Sequence, residues 1–208
     1  IELLTISPNY LQTCKIRISR TINEDSKNEN NILLKKNIIR KLQKEETKAL
    51  NDLLIWVYLQ EKNFSDALKR LISLDKRMDL YEPNIYELGE ITVANNELYI
   101  AEEAFNYLIK KGENSIYFEE SILKIINIKY LKFKKNTLKT NSEIKKIIQE
   151  HEKVITLLGV KNETIIIIRD LAHIVAFYEN EKEKAKKILT SILKNENRTF
   201  DYTNRKKH

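Results

Sequence analysis

The stretch EKNFSDALKRL at residues 61–71 is answered at 95–105 by NNELYIAEEAF, and this recurrence limits the fold more than any other property of the chain. Phe64 recurs as Leu98, Ala67 as Ala101, Leu71 as Phe105 and Leu74 as Leu108, all at one constant offset. Inside each stretch the apolar side chains return at intervals of three and four, the helical period. A polar break at Glu61 to Asn63, and again at Asn95 to Glu97, separates each stretch from an earlier helical run. The first run carries Leu53, Leu54 and Tyr58, the second Ile85, Leu88 and Gly89. A unit of two such helices cannot bury its apolar faces alone, whereas stacked units bury them against one another.

A third unit lies in RDLAHIVAFYENEKEKAKKILTSIL, with Leu171, Ala172, Ala176 and Phe177 before a break at Asn180 to Lys182 and Ala185, Leu189 and Ile192 after it. Ala185 follows Ala101 by more than two such offsets and fewer than three. The unit between them, at 115–160, is therefore expected to hold an insertion of about 16 residues beyond the ordinary length of a helix pair. The expected form is an extended first helix followed by KKNTLKTN as a polar, mobile connection. Residues 29–44 place Ile32, Leu33, Ile38, Ile39 and Leu42 on one face and read as the second helix of an earlier, degenerate unit. Its partner, around Asn9 to Ile22, is poorly defined, and INEDSKNENN between them is too polar to bury. The expected organisation is an N-terminal segment or helix at 1–28 and a helical-repeat region at 29–195. The region's units are 29–44, 46–78, 82–112, 115–160 and 162–195, and 196–208 form a C-terminal tail or linker. Gly112 and Gly159 follow apolar helical runs, as helix caps do, while Gly89 lies inside one.

A helix pair recurring at about 34 residues, with a small residue at the tight contact of its second helix, here Ala67 and Ala101, resembles the tetratricopeptide repeat. Gly89 fills the first-helix slot where that family prefers glycine or alanine; Ile55 departs from it. The resemblance implies an all-α protein, an α-α superhelix or solenoid of about four to five helix pairs, acting as a scaffold for protein–protein interaction. It further implies that the first helix of each pair lines a concave groove. The inward positions are then Asp52, Trp56 and Gln60, followed by Tyr86, Glu90 and Val93, by Glu120, Lys124 and Asn127, and by Asp170, Ile174, Phe177 and Tyr178. Where some members clamp a partner's terminal carboxylate with Lys and Asn, this chain carries Asp52, Tyr86 and Glu120. A carboxylate would be repelled, so the expected partner is a protein or peptide segment with basic and apolar side chains, anchored by Trp56 and the other aromatics.

The chain's 208 residues include three glycines and two prolines, too few for the tight turns of an all-β protein. Cys14 stands alone, which excludes an internal disulfide framework and a multi-cysteine zinc site. Its longest isoleucine run, ETIIIIRD, is far short of a membrane span. The chain opens at Ile1 rather than methionine, the expectation for a fragment or a processed form. His151, His173 and His208 lack companions at a ligand spacing, so no metal and no cofactor are expected. His173 reads as a hydrogen-bonded core histidine, and Cys14 as a small half-buried side chain. Carboxylate pairs such as Glu87 with Glu90, or Glu102 with Glu103, read as solvated helix faces, so no catalytic residue is assigned.

Two other readings stand beside the scaffold. Residues 1–50 hold 10 basic and 6 acidic side chains, 51–110 hold 6 and 11, 111–160 hold 10 and 6, and 161–208 hold 11 and 7. An acidic centre thus interrupts the basic excess, where an RNA-binding helical repeat would present a continuous basic stripe. Lys129, Lys132, Lys134 and Lys135 around Tyr130 and Phe133 would grip phosphates and stack a base, or would form the solvated end of a long helix. The third reading is an oligomerising subunit that pairs through an uncapped end of the stack.

Overall fold

The computed structural model describes residues 2, 4 and 7–192, and every regular element among them is a helix. The chain divides into two units, residues 1–104 and 105–208.

In the first unit, a short 3-10 turn leads into α1 (Leu11–Ile18), followed by α2 (Glu29–Lys44), α3 (Lys48–Gln60), α4 (Phe64–Met78) and α5 (Glu82–Ala94); α6 (Leu98–Lys110) begins here. The period is literal in these bounds: α5 starts and ends one full repeat after α3, and α6 starts one full repeat after α4. Both pairs close through the same turn. Lys62 and Asn96 take positive φ, 53° and 64°. The next residue's N–H reaches back to the helix, Asn63 to the Tyr58 carbonyl at 2.9 Å and Glu97 to the Thr92 carbonyl at 2.8 Å. This is the left-handed helix stop that satisfies the last orphan carbonyls. Ala67 and Ala101 are buried to 0% exposure, as the tight contact requires. Leu71, Leu74, Phe105 and Leu108 are buried too.

Helices α1, α2 and α3 share an aliphatic core of Cys14, Ile38, Ala49, Leu50, Leu53, Leu54 and Val57. Packing runs from α2 to α3 to α4 to α5, and α1 also touches α3. The face of α2 differs from the sequence expectation. Ile38 is buried and Leu42 packs at the core margin, but Ile32, Leu33 and Ile39 are 49%, 57% and 39% exposed. Asn31 is buried in their place, its amide nitrogen donating to the Asn23 carbonyl at 2.7 Å. Beside it Lys35 meets the enclosed Glu61 carboxylate at 2.7 Å. Two polar anchors therefore set the rotation of α2, because a buried polar group left unmatched costs more than an exposed isoleucine.

In the second unit, α7 (Phe118–Lys135) and α8 (Asn141–Leu158) are 18 residues each, followed by α9 (Ile165–Tyr178) and a helix over 182–192, α10. The extra residues of this region are absorbed mainly as helix. The five-residue connection at 136–140 is tied to the start of α8: Thr140 and Glu143 form a capping box, and Asn136 donates to Glu143 at 3.2 Å. Gly159 caps α8 with φ of 75°, and Gly112, just past α6, has φ of 68°. Asn180, with φ of 58°, holds the left-handed position before α10, as Asn96 does before α6.

The core of this unit mixes Tyr130 and Phe133 with Ile144, Ile147, Ile148, Leu171, Ile174, Val175 and Ala185. Helix α8 packs on α7 and on α9, and α7 touches α9. Ile174, placed in the groove by the sequence reading, is fully buried: it follows Leu171 by three residues on the core stripe of α9. The tail at 196–208 and His208 lie outside the described residues.

Candidate functional site

In residues 1–104 the candidate positions stand on α3 and α5. Asp52 accepts from Lys48 at 2.8 Å one turn earlier, and the same ammonium lies 5.2 Å from the Tyr81 ring. Trp56 is half-buried against the aliphatic core, so much of its ring is already committed to packing. Gln60 is exposed at the end of α3. Tyr86, Glu90 and Val93 are half-buried on α5, and Tyr86 and Glu90 each already interact within the chain.

In residues 105–208 they stand on α7 and α9. Glu120 is exposed, while Lys124 and Asn127 are half-buried on α7. On α9, Asp170 is half-buried, Phe177 is 74% exposed and Tyr178 packs edge-on against Phe133, with ring centroids 5.0 Å apart. Between the two helices the Tyr130 hydroxyl meets His173 Nδ1 at 3.0 Å, and the His173 ring lies 4.8 Å from Phe177. His173 is hydrogen-bonded, as the sequence reading expected, but half-buried rather than a core residue. Burial, with the Asp170 charge adding to it, pushes the Tyr130 phenol up to about 12, so it remains a neutral hydroxyl. Burial also raises the Asp170 carboxyl, against the pull of Lys134, Arg169 and His173. Asp170 makes no hydrogen bond or ion pair among the described residues, and with Phe177 it is what this face offers to an outside group.

The lysines of α7 interact within the protein, and Lys134 and Lys135 remain exposed. Lys129 pairs with Glu150 at 3.0 Å, and Lys134 lies 4.6 Å above the Tyr130 ring. Tyr130 and Phe133 are both buried, so neither presents a face on which a base could stack. His151 is buried as well. Its Nδ1–H donates to the Ile147 carbonyl at 2.7 Å, its Nε2 has no partner, and burial holds its pKa below the usual range.

Among the described residues one acidic trio, Asp75, Asp79 and Glu82, converges at the α4–α5 turn. No signal in DKRMDLYE singled it out, and its role is local: Asp75 accepts the Tyr81 N–H at 2.9 Å, and Asp79 ends α4 in the left-handed conformation. An open cleft of about 540 Å³ between the start of α8 and the α9–α10 turn is lined by Lys145, Lys184, Glu179 and Glu181, with no single sign of charge.

No protein-family model matches the chain, and no curated protein matches it. Among the described residues, no helix is long and apolar enough to cross a membrane.

Proposed function

We propose that the chain is a non-enzymatic scaffold of the tetratricopeptide-like kind, an α-α superhelix of about four to five helix pairs that binds a protein segment on its first helices. The observation that carries this reading is the shared turn. Lys62, Asn96 and Asn180 hold the left-handed position between the helices of three pairs, each followed five residues later by a buried alanine, Ala67, Ala101 and Ala185. A turn and a tight contact kept in step are the marks of a stacked unit. The contacts of α1 with α3 and of α7 with α9 fit the same reading, since first helices of consecutive pairs lie side by side in such a stack.

The partner's chemistry follows from what the first helices expose. Phe177 offers an aromatic surface and Asp170 a carboxyl group that makes no hydrogen bond or ion pair among the described residues, which suit a segment with apolar and basic side chains. Tyr130 and His151, whose ionisation burial displaces, are enclosed in packing rather than turned to a cleft. A photo-crosslinking residue at Gln60 or Glu120, both exposed, tests the reading. Cross-links to a protein segment that weaken at least tenfold in Phe177→Ala with Asp170→Asn support it, and cross-links indifferent to those changes refute it.

A second reading, RNA binding on the lysine-rich surfaces, is favoured by the charge of residues 105–208, which hold 22 basic and 13 acidic side chains. Binding to a mixed-sequence RNA that falls steeply with salt and ignores Phe177→Ala would select it.

A further inference from the structure

Helix α2 carries apolar side chains on two faces, and only one of them is used by the core. Asn31, Leu34, Lys35, Ile38 and Leu42 turn inward, while Ile32, Leu33 and Ile39 remain outside. This is not slack in the packing. The Asn31 hydrogen bonds to the carbonyls of Asn23 and Asp25, and the enclosed Lys35–Glu61 pair, fix the helix rotation. A helix with apolar side chains exposed beyond the face its core uses can pack against a second surface.

The outer face has the spacing of a helix-pairing seam. Ile32, Lys36, Ile39 and Gln43 follow one another at four, three and four residues, with Leu33 and Arg40 beside them. That is the alternation of core positions in a two-helix coil, here apolar at Ile32 and Ile39 and polar at Lys36 and Gln43. Lys36 and Arg40 make no ion pair or hydrogen bond among the described residues, and α2 as a whole holds five basic side chains against the single Glu29. Lys36 and Arg40 fall within the apolar strip, between Ile32 and Leu33 around the helix. A helix that lies on a lipid surface instead keeps its charges on the face opposite the apolar one. Two copies meeting here would bring Lys36 and Arg40 of both into one seam.

We propose that the outer face of α2 docks an acidic amphipathic helix of a partner protein, with Ile32, Leu33 and Ile39 as its apolar strip and Lys36 and Arg40 as its charge contacts. This surface is separate from the first-helix faces above and stands whether or not they bind a segment. A polar or charged residue at a core position of a coil trades affinity for choice of partner, which is the role Lys36 would take opposite a glutamate.

The test uses the full chain and a fluorescent four-heptad peptide with leucine at its core positions and glutamate on its flanks, read by anisotropy beside the same peptide with lysine flanks. The glutamate peptide is expected to bind at least tenfold more tightly than the lysine peptide. Lys36→Glu with Arg40→Glu should reverse that order, and Ile32→Ser with Ile39→Ser should weaken the glutamate peptide at least tenfold. All four positions are exposed, and an unchanged circular dichroism melt checks that both variants fold. No binding, equal binding of the two peptides, or indifference to the isoleucine changes would overturn the proposal. So would capture by phosphatidylserine vesicles in place of the peptide, or a dimer in sedimentation that the isoleucine variant abolishes.

Discussion

Residues 1–104 and 105–208 apply one scheme of paired helices with different materials. In the first unit the helices of a pair are 13 to 15 residues long in α3, α4 and α5, and the α1–α3 core is aliphatic at its centre, with Phe64 and Tyr81 buried elsewhere in the unit. In the second, α7 and α8 run to 18 residues, and the core admits Tyr130, Phe133 and the buried His151. The difference shows where a helix pair tolerates change. The turn before the second helix and the alanine after it are retained, at Asn180 and Ala185 as at Lys62 and Ala67. Helix length and core chemistry are not. Lengthening a helix adds surface that must be covered, and large rings with one polar atom cover it while finding a hydrogen bond inside, as Tyr130 does with His173.

The largest test of this comparison is overpacking. Ala101→Trp is expected to cost about 3 kcal/mol or more of unfolding free energy, because no side-chain volume is free at a fully buried contact. Ala185→Trp should fall in the same direction, and a urea midpoint unmoved in both would mean that the shared alanine is not a contact. Next is the polar anchor peculiar to the first unit. Lys35→Met leaves the enclosed Glu61 carboxylate unpaired and is expected to cost about 3 kcal/mol. Lys35→Met with Glu61→Leu should recover most of that loss, and additive costs in the double variant would show that the two residues are not coupled.

A smaller effect belongs to the second unit. Thr140→Ala removes the capping box that pins the connection after α7, for about 1 kcal/mol in denaturant titration. The smallest is a pH dependence. Burial lowers the His151 pKa in the folded protein, so the unfolded chain takes up the proton first. The stability present above the ordinary histidine value of 6.5 is therefore lost as pH falls through it towards the lowered folded value. His151→Leu should lose less of its urea midpoint between pH 7.5 and 5.5 than the parent does, and equal losses would assign the acid sensitivity elsewhere.

Much of this was legible in the residues, and the failures have causes. The helix bounds of α3 to α6 follow from intervals of three and four and from the constant offset between the two pairs. The expectation for α2 went astray because five apolar side chains were placed on one face by count. The polar Asn31 and Lys35, held by the Asn23 and Asp25 carbonyls of the preceding loop and by Glu61 just past α3, outweighed them. Among the candidate binding residues, Phe177 stands open, Trp56 is half committed to the core, and Ile174 belongs to it. One helical position shifts a side chain by about 100°, so a face inferred from spacing errs by a neighbour at its margins.

What the sequence determined by itself is the helix content, the pairing, and the small residues at the crossings, since these depend on near neighbours along one chain. Only the tertiary structure decided which apolar side chains of α2 turned inward, and that the connection after α7 is five residues, shorter than the KKNTLKTN stretch expected. The left-handed turns at Lys62, Asn96 and Asn180 are closed by local backbone hydrogen bonds. The rotation of α2 instead depends on Glu61, a carboxylate from another segment whose position exists only once the helices have met.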